Sequence, residues 1–400
     1  MASSPLQQYS LITANYWAFT LTDGALRMLV VLYFHQLGYS PLEVASLFLL
    51  YEFCGVVTNL VGGWLAARMG LNHTMHLGLA LQIVALAMLL VDAEQLTLVY
   101  VMLAQALSGI AKDLNKMSAK SSIKLLVSSD AQGKLYQWVA LLTGSKNTLK
   151  GVGFFLGGLL LSLFGFTQAI AVMVIALCVV LVVSICFLEK ELGKTQYKPK
   201  FKELFSKSKA INQLSAARFF LFGARDIWFV IALPVFLQEQ LQWTYTEVGS
   251  LLALWVMAYG LVQAVAPYIT GIRQGKIPSG KTAWQWAGAL LLSACSLTGI
   301  LMLHWQVENV LIAGLLIFGA LFAINSSVHS YLIVAYASEE GVSLDIGFYY
   351  MANALGRLVG TLLSGWLYQA AGLTACLFAT SIFILFAFII STILPRQAQI

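Results

Sequence analysis

The chain has 400 residues, of which 60% are hydrophobic and only 10% are charged, and its formal net charge is +6. Soluble domains carry about 25% charged residues, so this composition excludes a soluble enzyme, a disordered chain and a secreted disulfide scaffold. Lysines and arginines in cytoplasmic loops explain the net charge, so nucleic-acid binding is not inferred from it.

Long apolar segments follow one another along the whole chain. A membrane-spanning helix needs about 20 apolar residues, so the pattern predicts an all-α membrane protein with twelve transmembrane helices. The approximate segments are 11–34, 42–67, 73–91, 96–118, 135–163, 167–188, 211–237, 245–271, 283–303, 308–333, 343–369 and 372–394. The exceptional connection is 189–210, which contains seven lysines and three glutamates. It predicts a basic cytoplasmic linker between two six-helix bundles, 1–188 and 211–400.

The loop charges predict the orientation. With a cytoplasmic N-terminus, fifteen lysines and arginines lie in inner loops, linker and tail, whereas the outer loops hold six acids and no basic residue. The positive-inside rule therefore places both termini in the cytoplasm. The first ten residues carry no lysine or arginine, and no cleaved signal peptide is expected.

The two halves repeat each other. LGYSPLEVASL, from Leu37, is echoed by LQWTYTEVGSL, from Leu241, at an offset of 204 residues. A basic residue followed by two spaced glycines begins at Lys150 and again at Arg357, at an offset of 207. Two parallel six-helix repeats resemble the architecture of the major facilitator superfamily, whose halves enclose a central cavity.

A short loop motif strengthens that resemblance. GWLAARMG, from Gly63, is similar to the superfamily's signature G-x-L-a-D-r-x-G between helices two and three. The acidic position is occupied by Ala67, so the inner gate is expected to work differently here. Gly63, Arg68 and Gly70 are the candidate gating residues.

Thirteen charged residues lie within the predicted helices. A charge at the bilayer centre costs about 2.5–3.5 kcal/mol on insertion scales and usually marks a substrate path. Eight are basic and five acidic, an excess of three positive charges (8 − 5), which predicts a small anionic substrate. The candidate substrate-binding residues are Arg27, Lys112, Lys116, Lys146, Lys150, Arg225 and Arg357. The candidates for proton coupling or charge pairing are Asp23, Glu52, Asp113 and Asp226.

Structural roles remain open for part of this set. Lys116 and Arg218 lie near the inner interface, where long side chains snorkel. Asp23 could serve only to neutralise Arg27, and Asp226 only to neutralise a nearby arginine. Proton coupling and a satisfied buried acid are equally open for Glu52, and packing is favoured over ligand binding for Asn325 and His329.

Some positions favour function. Lys150 and Arg357 are deep, related by the repeat, and have no acid within one helical turn. Lys112 and Lys116 share a helix face, and the row is expected to continue through Lys120 into the inner loop. Such a row would attract an anion from the cytoplasm.

Catalytic and metal-binding motifs are not found in the sequence. It contains no P-loop, no HExxH and no Gly-x-Ser-x-Gly, and its five cysteines lie scattered in apolar segments. The histidines show no metal-like pairing with acids, although His73 and His76 are three residues apart. We therefore expect neither an enzyme nor a cofactor, and an intramembrane enzyme acting on lipid is disfavoured.

Three charged blocks carry a more specific resemblance. NYWAFTLTDGALR from Asn15, GIAKDLNKMSAKSS from Gly109 and LTGSKNTLKG from Leu142 resemble the ArsJ-type organoarsenical efflux permeases. The resemblance implies export of 1-arseno-3-phosphoglycerate, which glyceraldehyde-3-phosphate dehydrogenase makes when arsenate replaces phosphate. It implies arsenate resistance and a bacterial cytoplasmic membrane. Because the sequence has no nucleotide-binding motif, we expect alternating access driven by proton antiport, and the superfamily fold is expected to act as a monomer. The alternative is an exporter or antiporter of another organic phosphate.

The implied substrate agrees with the charges. A phosphate group carries about −1.5 to −2 near neutral pH, and an arsenate group would lie at the other end. Two separated anionic ends require two basic clusters. The first is expected to comprise Arg27, Lys146 and Lys150, and the second Arg225 and Arg357.

Overall fold

The computed structural model describes residues 5–39, 44, 46–128, 131–188, 207–339 and 341–396. All regular secondary structure in these ranges is helical. The α-helices are α1 (Pro5–Gln36), α2 (Leu49–Met69), α3 (Leu71–Met88), α4 (Leu98–Leu126), α5 (Gln132–Phe187), α6 (Lys209–Phe229), α7 (Ala232–Glu239), α8 (Tyr245–Ile269), α9 (Gly280–Met302), α10 (Val307–Tyr336) and α11 (Val342–Thr392). Short 3₁₀ turns occur at Ala93–Gln95 and Ile272–Gln274.

The helices account for the predicted twelve spans. Nine helical stretches of the described chain are long and apolar enough to cross a membrane, and α6 and α7 together form one of them. Two of the nine, α5 and α11, contain 56 and 51 residues, about twice what a hydrocarbon core of about 30 Å needs. Counting these twice gives eleven. The twelfth span is α4, which has 29 residues but carries several charges. The all-α transmembrane fold is confirmed.

Two glycines divide the long helices at equivalent points. Gly165 has φ 74° and ψ 177°, and Gly372 has φ 74° and ψ −171°. Glycine is the residue that adopts positive φ without steric cost. The two positions are 207 residues apart (372 − 165), the offset of the sequence repeat, so the repeated sequence breaks its helix at the same place twice.

The chain forms two compact units. Unit 1 comprises 1–130, 145–206 and 338–351, and unit 2 comprises 131–144, 207–337 and 352–400. Each unit therefore takes a segment from the other half of the sequence, the start of α11 in unit 1 and the start of α5 in unit 2. These two segments are also related by the 207-residue offset (338 − 131). The predicted linker lies mostly outside the described residues, and the predicted bundle bounds remain a prediction.

Each unit has its own apolar core. In unit 1, Phe34 and Phe166 are buried, and the Tyr33 ring stacks on Phe166 with centroids 4.1 Å apart. The core of unit 2 is rich in aromatic rings, with the Trp228 and Phe318 centroids 5.2 Å apart. Rigid cores of this kind hold the helices that carry the intramembrane charges.

Candidate functional site

In unit 1, close packing of α1 against α5 brings a carboxylate to Lys150. A Cβ placed on Gly24 would lie 2.8 Å from the backbone oxygen of Lys150, so only glycine fits there. Asp23 Oδ2 lies 3.9 Å from Lys150 Nζ. The Tyr51 hydroxyl donates a hydrogen bond of 2.7 Å to Asp23 Oδ1. Lys150 has no acid nearby on its own helix, and the tertiary structure supplies one from α1.

A second carboxylate, on α4, serves two lysines. Lys116 Nζ lies 2.6 Å from Asp113 Oδ1, and Lys112 Nζ lies 3.9 Å from its Oδ2. The Asp113 side chain is 2% exposed. It fits against α2 because residue 55 is glycine, whose Cβ would lie 2.8 Å from Asp113 Oδ2. The two predicted lysines are thus brought together, but they share one negative charge.

Arg27 pairs with a third carboxylate in unit 1. Its Nη2 lies 3.2 Å from Glu52 Oε1, and its guanidinium packs on the Phe48 and Tyr51 rings. Glu52 lies in the first turn of α2 and its side chain is 38% exposed. The carboxylate that pairs with Arg27 is therefore on α2, while Asp23, on its own helix, pairs with Lys150.

Lys146 differs from every other predicted cation. Within the described residues it forms no ion pair and no hydrogen bond. The charges that act on it are those of four other lysines, 112, 116, 120 and 150. Its side chain is partly buried. An anion that binds beside an ammonium group in such surroundings would be stabilised by several positive charges.

Helix α4 is longer than predicted and carries more of the lysine row. Lys120 was expected in the inner loop, but α4 continues to Leu126 and Lys120 is only 3% exposed. Its Nζ lies 2.5 Å from the Tyr350 hydroxyl oxygen. The Tyr350 ring also faces Lys116 Nζ, 4.8 Å from the ring centroid. The placement of Lys120 in a loop was wrong because the start of α11 packs on this end of α4 and buries it.

The candidate gating residues surround the end of α2. Gly70 ends the helix with φ 93°, and its N–H bonds to the Ala66 oxygen. Arg68 packs its guanidinium on the Trp64 ring, 4.6 Å from the centroid. A Cβ on Gly63 would collide with the backbone oxygen of Ser343. Gly63 of this motif therefore packs directly against the backbone at the start of α11.

In unit 2 two arginines share one aspartate. Arg225 donates from Nε to Asp226 Oδ1 at 2.6 Å, and Arg357 donates from Nε to Asp226 Oδ2 at 3.0 Å. The Asp226 carboxylate is fully buried. A Cβ on Gly360 would lie 2.5 Å from the Gly223 oxygen, so α6 and α11 approach as closely as α1 and α5. The predicted second cluster is thus assembled, around a shared counter-ion.

Positive charge exceeds negative charge in both units. In unit 1 the described cations of this set, with Lys120 added, are Arg27, Lys112, Lys116, Lys120, Lys146 and Lys150, and the acids are Asp23, Glu52, Asp113 and Asp345, which gives 6 − 4 = +2. In unit 2 the cations are Arg218, Arg225 and Arg357, and the acid is Asp226, which gives 3 − 1 = +2. The excess expected from the sequence therefore persists after the ion pairs form.

Several residues of the site were not predicted. Tyr51 could have been found from the sequence, because it is an aromatic residue directly before the intramembrane acid Glu52. No sequence pattern pointed to Tyr350. Arg218 is 3% exposed, so it does not snorkel to the interface. In the described chain no group of three or more His, Cys, Asp or Glu side chains is placed to hold a metal ion.

The sequence profile of the Major Facilitator Superfamily matches residues 12–232 and 214–399. No curated protein matches the sequence significantly.

Solved structures share the fold at low identity. The human organic anion transporter MFSD10 (TETRAN) has 16% identity and a TM-score of 0.77, covering 98% of this chain and 100% of that one. A bacterial homologue of the iron transporter ferroportin has 13% identity and a TM-score of 0.78, covering 96% and 98%. The Escherichia coli fucose:proton symporter FucP has 11% identity and a TM-score of 0.75, covering 99% and 100%. At these identities the likeness establishes the fold alone.

Proposed function

The chain belongs to the major facilitator superfamily, and from this premise we propose that it exports an organic oxyanion by alternating access. The proposed substrate is 1-arseno-3-phosphoglycerate, on the resemblance of three sequence blocks to the ArsJ-type permeases. The proposed setting is a bacterial cytoplasmic membrane, with the chain acting as a monomer. Glyceraldehyde-3-phosphate dehydrogenase is the proposed functional partner, because it makes the substrate.

The observation that carries the proposal is the environment of Lys146. Its charge is acted on by four lysines, and in the described part of the chain no carboxylate pairs with it. An uncompensated charge in a low-dielectric environment is costly. A lysine in such an environment is therefore expected where a ligand supplies the opposite charge. A phosphate or arsenate group carries enough negative charge for several lysines.

The chemistry of the other cations agrees with an oxyanion. Lysine ammonium groups are mobile point charges, whereas arginine forks bind phosphate-like groups in fixed geometry. Unit 1 supplies mainly lysines, and unit 2 supplies arginines. A human transporter of the same fold is named an organic anion transporter, which supports the compatibility of the fold with anionic substrates.

Proton coupling follows from competition for the lysines. Asp113 holds both Lys112 and Lys116, so a phosphate that binds these lysines competes with the carboxylate. The proposed coupling is antiport, in which a proton moving inward is exchanged for the exported anion, with Asp113, Asp23, Glu52 and Asp226 as the candidate proton carriers.

The test uses everted membrane vesicles that contain the protein. Arsenate, glyceraldehyde 3-phosphate, NAD and the dehydrogenase are supplied outside, and arsenic uptake is measured. Uptake that requires the complete mixture supports the arseno-ester as substrate, and omission of the dehydrogenase is the control. No uptake by folded, inserted protein would overturn the arsenical assignment.

The alternative substrate is another organic phosphate, for which the same lysine cluster would serve. Vesicles supplied with radiolabelled glycerol 3-phosphate or 3-phosphoglycerate distinguish the two. Saturable uptake of one of these esters, without uptake of arsenic from the complete mixture, would favour the alternative.

A further inference from the structure

Tyr51 lies among the cations of unit 1 but is not one of the proposed substrate contacts. It is buried in the first turn of α2. Its backbone packs directly on α4, because a Cβ on Gly109 would lie 2.6 Å from the Tyr51 carbonyl oxygen. Lys112 Nζ, one turn further along α4, lies 3.8 Å from the centre of the Tyr51 ring, and the Arg27 guanidinium of α1 lies 5.0 Å from it. Contacts with two other helices therefore fix this tyrosine in position.

The Tyr51 hydroxyl shares the Asp23 carboxylate with Lys150. Oδ1 accepts a hydrogen bond of 2.7 Å from the hydroxyl. Oδ2 lies 3.9 Å from Lys150 Nζ, which is longer than a hydrogen bond. The Asp23 side chain is 7% exposed, whereas that of Lys150 is 23% exposed. The buried acid thus has a short contact with a fixed neutral donor and a long contact with a more accessible cation.

The other buried acids of the site have two cations each. Asp113 pairs with two lysines, and Asp226 pairs with two arginines. If Lys150 left Asp23, the contact remaining to this carboxylate within the described chain would be the hydrogen bond from Tyr51. A buried carboxylate that keeps a hydrogen bond is less costly than one without a partner. Tyr51 therefore lowers the free energy needed to move Lys150 away from Asp23.

Lys150 lies next to the position proposed for the anion. It is one helical turn from Lys146, on the same face of α5, and its charge acts on Lys146. An oxyanion that binds beside Lys146 would attract Lys150 in competition with Asp23. The affinity for the oxyanion then depends on how readily Asp23 gives up Lys150.

We propose that Tyr51 is a positioning residue that makes Lys150 available to the substrate. Its hydroxyl stabilises the Asp23 carboxylate while Lys150 binds the oxyanion, and its packing keeps that hydroxyl in place. Tyr51 acts through Asp23 and does not contact the substrate. The inference rests on the proposed function, because it takes the ligand to be an oxyanion bound by the lysines of unit 1.

The first experiment measures binding of 3-phosphoglycerate to the purified full-length protein in lipid nanodiscs. The variants are Tyr51→Phe, Asp23→Asn and their combination, which form a double-mutant cycle. Tyr51→Phe removes the hydroxyl and keeps the ring. The matched control is Tyr100→Phe, which also removes one hydroxyl of unit 1, but that hydroxyl donates to the uncharged Met88 oxygen at 2.8 Å.

We expect Tyr51→Phe to lower the affinity about tenfold, the usual effect of one hydrogen bond to a charged group. In the Asp23→Asn background the same change should alter the affinity by less than about twofold, because Lys150 then has no carboxylate to leave. Tyr100→Phe should bind like the wild type. A hydroxyl that only supported the fold would keep its effect when Asp23 is replaced.

The second experiment requires no ligand. Reductive methylation with formaldehyde and cyanoborohydride modifies uncharged amines, so a lysine held in an ion pair reacts slowly, and mass spectrometry measures the rate at each lysine. Lys150 should react more slowly in Tyr51→Phe than in the wild type, because Asp23 then depends on it more. It should react faster in Asp23→Asn. Lys134, which is exposed on the same helix, should react equally in all variants.

The opposite results would overturn the inference. An equal loss of affinity from Tyr51→Phe with and without Asp23 would show that the hydroxyl acts on the substrate or on the fold, and no loss would show that it has no effect on binding. An unchanged rate at Lys150 in Tyr51→Phe would show that Tyr51 does not control this lysine. If the wild type does not bind 3-phosphoglycerate, the methylation rates decide the role of Tyr51, and arsenic uptake in the vesicle assay decides the proposed function separately.

Discussion

Lys150 in unit 1 and Arg357 in unit 2 occupy equivalent positions of the repeat, yet their ion pairs differ. Lys150 lies 3.9 Å from Asp23, and a tyrosine hydroxyl shares that carboxylate. Arg357 lies 3.0 Å from Asp226, and a second arginine shares that carboxylate. Arginine forks hold carboxylates in fixed geometry, whereas lysine is a mobile point charge. The same repeat position therefore carries a fixed arginine–aspartate cluster in unit 2 and a more loosely held lysine in unit 1.

The strongest test of this difference removes each aspartate. Asp226→Asn leaves two arginines around a buried neutral amide, and we expect a loss of about 3 kcal/mol in stability, as for other buried pairs that lose one partner. Asp23→Asn should cost clearly less, because its ion pair is longer. Thermal unfolding in detergent measures both, and equal losses would show that the two pairs are energetically alike.

The next test concerns Lys146. Lys146→Gln should weaken substrate binding roughly thirtyfold, the equivalent of about 2 kcal/mol for one charge-assisted hydrogen bond. Its melting temperature should not fall, because the ammonium has no partner within the described residues. Lys134→Gln is the matched control, since Lys134 is exposed on the same helix. Similar transport by the two variants would contradict the role given to Lys146.

The repeat itself is tested at its two helix breaks. Gly165→Ala and Gly372→Ala should each cost about 1–2 kcal/mol, because alanine is strained at positive φ. Nothing lies within 4 Å of a Cβ on Gly372, so the cost is conformational. Gly158→Ala and Gly365→Ala are controls on the same helices with ordinary Cβ contacts, and they should be neutral. A large difference between the two positive-φ variants would mean that the halves are not equivalent there.

The smallest effect is expected at Tyr350. Tyr350→Phe removes the hydroxyl that contacts Lys120 but keeps the ring that faces Lys116. We expect a loss of about 1 kcal/mol in stability, as for one hydrogen bond. Tyr350→Leu, which also removes the ring, should cost more. Equal unfolding temperatures for the two variants would show that the ring contributes nothing.

Much of the fold was predictable from local sequence. Apolar length specifies a membrane span because the bilayer has a defined thickness, and the lysine distribution predicts orientation because positive loops stay inside. The repeat at Lys150 and Arg357 was visible in the sequence, and the structure extends it to the two glycine breaks. These features depend on neighbouring residues or on simple counts, so no tertiary information was required.

The partners of the charges were not predictable in the same way. Helical spacing left open whether Asp23 only neutralises Arg27, and the close packing of α1 against α5 at Gly24 places its carboxylate beside Lys150. Tyr350 reaches Lys120 over a separation of 230 residues, which no local pattern reveals.

The sequence by itself determined that this protein is a twelve-span, two-repeat membrane protein with an excess of buried positive charge. Only the tertiary structure decided which cations have a carboxylate of their own, which share one and which, like Lys146, have only other cations nearby. The physical reason is the distance along the chain over which each effect acts. Hydropathy and helix-breaking act within a few residues, whereas an ion pair forms wherever packing places two side chains within about 4 Å.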